Sequence, residues 1–149
     1  MKSIWSIFAT LTTSLLIAGT QSPRAETVVI DLTGWRSPDI STVGDDPFGK
    51  LVKYGRQLFT NTANEIGPAV SDEPRRLAGN NLACANCHLQ AGTQPYAMPM
   101  IGVWGQFPQY RAREGVVVTL EERINGCMQR SMHGRALSLD SREMKAFSA

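Results

Sequence analysis

The sequence predicts a small all-α domain folded around a bound group, and three observations predict it. Helix-start signals stand at Asp46-Pro47, at Thr119 with Glu122 three residues on, and at Asp140 with Glu143 three residues on. Between the first two, Ala91 to Gly115 is broken by Gly92, Pro95, Pro99, Gly102, Gly105 and Pro108, so regular structure is not expected to persist there. That same segment holds Tyr96, Trp104, Phe107, Tyr110, Met98 and Met100, residue types that disordered segments lack. A long irregular segment of such composition is folded around something.

The chain has 149 residues and opens with Lys2, an apolar run from Ile4 to Gly19 and small residues leading to Ala25. That order is a secretory signal, read here as residues 1–25, and the apolar run falls short of the ~20 residues that span a bilayer. An uncleaved anchor is the alternative, because Pro23 sits where a small residue is preferred. Cleavage removes Lys2 and Arg24 from the 15 basic residues and none of the 13 acidic ones, leaving a near-neutral protein. Neutrality argues against nucleic acid as a partner. No later stretch approaches membrane length, so a soluble periplasmic protein with no membrane span is expected.

Residues 26–45 carry one β-branched run, Val28 to Ile30, among turn formers, and read as an extended arm wrapping the domain of residues 46–149. Asp46 as N-cap and Pro47 at the first position start a helix expected to run to Thr60. Leu51, Tyr54, Leu58 and Phe59 give it an apolar stripe, and Gly55 permits close approach by another helix. Residues 61–80 read as a loop. The helix capped by Thr119 is expected to end near His133, with Gly134 as its stop. The last helix begins at Asp140 and includes Phe147, expected near Gly55 and Phe59.

Chemistry is concentrated at Cys84-Ala85-Asn86-Cys87-His88. Two thiols two residues apart reach the two vinyl groups of a porphyrin, and the next residue then lies at the iron, so this spacing marks covalent attachment of one haem c. A zinc site or a redox dithiol would need a second ligand pair or a βαβ pattern, and neither is present. His88 is the expected proximal ligand, its second ring nitrogen donating to a carbonyl near Pro95 or Pro99. Three cysteines leave Cys127 over, in a compartment where an idle thiol is oxidised.

Candidates for the distal ligand are Met98, Met100, Cys127, Met128, Met132, His133 and Met144. A thioether raises the potential and suits a carrier, whereas a thiolate lowers it. Helical spacing puts Arg123, Arg130 and Ser131 on the face of Cys127, which makes that face cationic. Arg113, Arg123 and Arg130 either pair with haem propionates and solvent or hold a small oxyanion beside the sulfur, and both uses can coexist.

Three blocks carry a resemblance: Asn81 to Gly92, Gly102-Val103-Trp104-Gly105 with Phe107 to Arg113, and Thr119 to Cys127 with Arg130-Ser131-Met132. From about Ser37 to Phe147 the chain resembles the N-terminal haem domain of the dihaem thiosulfate dehydrogenases. The resemblance implies a class I cytochrome c fold with iron held by His88 and Cys127. It also implies oxidation of thiosulfate to tetrathionate, with Cys127, Arg113, Arg123 and Ser131 at the catalytic pocket and a redox partner cytochrome. Family members continue into a second haem domain, while this sequence stops within its closing helix, so a fragment or a separate second cytochrome is expected. The alternatives are a monohaem carrier with Met100 or Met132 as distal ligand and Cys127 idle in the core, and a Sox-type sulfur-oxidation cytochrome.

Overall fold

A computed structural model describes Gly34 and residues 36–149; residues 1–25, expected to be a secretory signal, and the Val28 to Ile30 run lie outside the described residues. The elements are α1 (Pro47–Thr60), α2 (Thr62–Ile66), α3 (Leu89–Gly92), β1 (Gln109–Arg111), β2 (Val116–Val118), α4 (Leu120–Arg130) and α5 (Arg142–Ser148). The body is mostly helical, and the hairpin β1–β2 is an addition to the all-α expectation. Its strands pair antiparallel, with Gln109 opposite Val118 and Arg111 opposite Val116. Three consecutive valines favour extension. Gly115, at φ +72°, turns the chain so that its N–H and that of Glu114 both reach the Arg111 carbonyl.

Helix α1 begins as its sequence directs: Asp46 Oδ1 accepts from the N–H groups of Phe48 at 2.9 Å and Gly49 at 3.1 Å. Its buried face meets α5 at Gly55, where an added Cβ would lie 1.9 Å from the Ala146 carbonyl oxygen. Leu58, Ile66, Met128, Met132, Leu137, Met144 and Ala146 form the core, with Tyr54, Ile124 and Phe147 packed against it. The Tyr54 hydroxyl donates to Glu143 Oε1 at 3.1 Å, and Arg142 lies 4.3 Å from the centre of the Tyr54 ring. Both contacts tie α5 to α1.

The loop expected at 61–80 contains helix α2 and a single 3-10 turn, Glu73–Arg75. Helix α2 forms because its C-terminal carbonyl is used: Ile66 O accepts from the N–H groups of both Leu77 and Ala78. Helix α4 has the expected reciprocal cap, with Thr119 Oγ1 accepting from Glu122 N–H and Glu122 Oε2 accepting from Thr119 N–H. It stops at Arg130, ahead of His133. The N–H groups of Ser131 and Met132 both turn to Cys127 O, Gly134 N–H closes on Met128 O, and His133 is left-handed at φ +48°. Helix α5 is capped by Ser141, whose Oγ accepts from Met144 N–H at 3.1 Å, so Asp140 lies outside the cap.

Candidate haem and sulfur site

The attachment motif is held by short-range polar contacts. Asn86 Oδ1 accepts from Ala83 N–H at 2.6 Å, and Cys84 N–H donates to the hydroxyl of buried Thr62 at 3.3 Å. Thr62 itself is fixed by donating to Leu58 O at 2.6 Å, which links the motif to α1. Burial pushes the Cys84 thiol up from its ordinary pKa, so it is protonated at neutral pH, while Cys87 is exposed.

After the motif, α3 is kinked rather than regular: Gln90 and Ala91 within it take left-handed backbone at φ +51° and +54°, as do Tyr96 and Met98 beyond it. These bends fold the segment back under His88. Its Nδ1 lies 2.6 Å from Met98 O, the carbonyl immediately before Pro99. A carbonyl only accepts, so Nδ1 carries the proton and Nε2 presents the lone pair, the tautomer that a metal ligand requires. The Phe59 ring packs on the imidazole with centroids 5.8 Å apart.

His88, Cys84 and Cys87 line a cavity of about 870 Å³ together with Phe59, Met100 and Cys127. Protein interiors hold few voids larger than a water molecule, whereas ligand sites run ~300–1,000 Å³, so this space is built for a large group. Much of the remaining wall is apolar, including Val52, Leu120, Ile124 and Met128. Two thiols, an imidazole with a free Nε2 and an apolar slot fit a covalently bound porphyrin.

On α4, Arg123 Nη1 donates to Cys127 Sγ at 3.0 Å, and both residues line the same cavity as His88. That contact places a guanidinium charge directly beside the sulfur. The cavity therefore joins a haem-attachment motif to a cation-supported sulfur.

Residues 75–149 match the family model for the SoxA/TsdA cytochrome c domain. This chain belongs to that family. It is similar to the thiosulfate dehydrogenase of Psychrobacter arcticus, 40% identical over 111 residues that cover 74% of this chain and 32% of that protein. The thiosulfate dehydrogenase of Allochromatium vinosum is 37% identical over 130 residues, 85% of this chain and 44% of that one. Among solved structures, the thiosulfate dehydrogenase TsdBA of Marichromatium purpuratum superimposes with a TM-score of 0.66 at 29% identity, over 76% of this chain and 24% of that chain. The chain thus spans less than half the length of these relatives. Membership of a cytochrome c domain family implies haem c as the bound group.

The cytochrome domain brings together most of the residues singled out from sequence. Arg123, Cys127 and Ser131 line the cavity with the attachment motif. Arg130, expected on the same face, turns away: its Nη1 donates to Glu114 Oε1 at 2.9 Å. Arg113 is also displaced from its expected place. It is exposed in the turn after β1, and Arg111 stands on the cavity wall instead. Strand alternation points Gln109 and Arg111 inward, and the turn closing on Arg111 O ends that alternation before Arg113. Among the methionines, Met100, Met128 and Met132 line the cavity, Met98 is exposed, and Met144 is buried outside it. Met100 belongs to the His88 side, where its N–H donates to Gly92 O at 2.7 Å.

Proposed function

We propose that this chain is a periplasmic thiosulfate-oxidising haem domain of class I cytochrome c fold, with one haem bound through Cys84, Cys87 and His88. Cys127 is its sulfur ligand and reactive group. The observation that carries the reading is the 3.0 Å contact from Arg123 to Cys127 Sγ inside the cavity shared with His88. A carrier using a methionine ligand has no need of a cation on an unused sulfur.

The residues divide the work. Haem, when bound, supplies a one-electron acceptor and a metal suited to sulfur. Cys127 presents a soft nucleophile, and its thiolate joins the outer sulfur of thiosulfate in a sulfur–sulfur bond with loss of two electrons. The outer sulfur of a second thiosulfate then attacks the sulfur bonded to Cys127 Sγ, breaking that bond, releasing tetrathionate and restoring the thiolate. Arg123 and Arg111 offset the charge of the approaching dianions through guanidinium forks suited to oxyanions, and the Ser131 hydroxyl offers a further donor. A single bound haem would supply an acceptor for one of the two electrons, and a redox partner cytochrome would supply the acceptor for the other. Among the described residues no helix is long and apolar enough to cross a membrane.

The test is thiosulfate-dependent reduction of the haem in wild type and Cys127→Ala. Loss of reduction in the variant, with haem content intact, supports the reading. An unchanged rate removes Cys127 from the reaction and leaves the carrier, with Met132 or Met100 as the cavity-lining sulfur donor.

A further inference from the structure

Behind the wall that carries Arg123 lies a second, smaller cavity of about 240 Å³. Arg111 and Arg123 line both cavities, so their side chains form the partition between them. Arg123 belongs to α4, whereas Arg111 belongs to the hairpin. Their separation therefore depends on how the hairpin is held against the helix.

Glu114, in the hairpin turn, provides the hold. Its Oε1 accepts from Arg130 Nη1 at 2.9 Å, and Arg130 Nε is in turn anchored on Gly126 O at 3.3 Å, one turn back along α4. Among the described residues this is the one ion pair joining the hairpin to α4. The second carboxylate oxygen, Oε2, is sequestered without a hydrogen-bond partner among the described residues. It lies 3.9 Å from Arg111 Nε, near enough to attract the guanidinium and too far to fix it by a hydrogen bond. Arg111 donates through Nη1 to Gln109 Oε1 at 3.4 Å on its own strand. Arg111 is thus located by contacts within the hairpin.

We infer that Glu114 is a positioning residue: gripped by Arg130, it docks the β1–β2 hairpin on α4 and so sets the spacing of Arg111 and Arg123. The consequence for substrate rests on the thiosulfate reading above, and the docking itself does not. It also explains why Arg130, on the reactive helix and beside Ser131, is spent on a carboxylate away from the cavity.

The experiment uses haem-loaded protein and two readouts, hydrogen exchange of the hairpin amides and steady-state thiosulfate oxidation. In Glu114→Ala and in Arg130→Ala, the amides of residues 111–118 should exchange about fivefold faster, the fold-change expected from a partly exposed ion pair. The thiosulfate KM should rise by a similar factor of about five with kcat within about twofold. The double variant should show no more than either single change. Glu114→Gln, which can still accept from Arg130, should remain within about twofold of wild type in both readouts. Unchanged hairpin exchange in the single variants overturns the inference, whatever happens to KM. Additive effects, or Glu114→Gln behaving as Glu114→Ala, overturn it too. If thiosulfate does not reduce wild-type haem, the proposed oxidation fails, and hydrogen exchange still decides the docking role.

Discussion

Replacing Gly55 by alanine places a methyl group where two helices already touch. The new Cβ would lie 1.9 Å from the carbonyl oxygen of Ala146 and 2.8 Å from its carbon, both backbone atoms that no rotamer change can move. Ordinary contact needs about 3.5 Å, so α1 and α5 must part by more than about 1 Å. Leu58, Met144 and Ala146, each no more than 3% exposed, then lose close packing. Overpacking costs ~1–3 kcal/mol, and a backbone obstacle places this site at or beyond the upper end. Alanine returns ~1 kcal/mol of helix propensity over glycine. The net is a loss of about 2 kcal/mol, or roughly 8 °C in the melting midpoint for a domain of this size. Circular dichroism of the haem-loaded protein, with denaturant titration beside it, measures both. A midpoint unchanged or raised would mean that the helices separate at no cost and that the crossing at Gly55 has been misjudged.

Arg123→Met removes a charge-assisted contact to Cys127 worth about 1.5–3 kcal/mol, so thiosulfate-dependent haem reduction should fall about 10- to 100-fold by stopped flow. A loss under about twofold would contradict the role of this guanidinium. Arg111→Ala should raise the thiosulfate KM about tenfold while Arg113→Ala stays within about twofold, since the first stands on the cavity wall and the second is exposed. The reverse ranking in KM would restore Arg113 to the pocket. Thr119→Ala deletes one half of the α4 cap and should cost ~1 kcal/mol in urea unfolding. Arg130 holds the Glu114 carboxyl below its ordinary pKa of 4.5, chiefly through their hydrogen bond. Its stabilising contribution is therefore complete above that ordinary value and lost as pH falls through the lower folded value. The stability gap between wild type and Glu114→Ala should be flat near neutrality and shrink in acid, and a gap widening toward acid would refute this sign.

Local signals in the sequence located the features that depend on a few neighbouring residues. Asp46-Pro47 and the Thr119–Glu122 pair each place their own hydrogen bonds, so α1 and the start of α4 were legible. So was the acceptor for His88, because a proline at position 99 confines the segment that must pass beneath the ring. Gly55 announced a close approach but could not name Ala146 as the partner. Features that depend on remote partners were hidden. Helix α2 exists because Leu77 and Ala78 return to Ile66 O, and α4 ends early because its last carbonyls are claimed by the chain beyond. The arginine on the cavity wall is Arg111, two residues before Arg113. Arg111 and Arg113 would share a face in a continuing strand, and only the turn at Gly115 separates them. Recognising Val116 to Val118 as the return strand would have exposed that turn. Arg130 has the helical spacing of a cavity residue, and its diversion follows from Glu114 on another element.

The central claim is that the sulfur facing His88 across the haem cavity belongs to Cys127. The absorption spectrum of oxidised wild-type holoprotein, recorded beside Cys127→Met, tests it most directly. The account predicts that wild type lacks the weak far-red band of a methionine–iron bond and that the variant acquires it or a clearly altered spectrum. A wild-type protein that already shows this band, with a spectrum indifferent to replacement of Cys127, would contradict it.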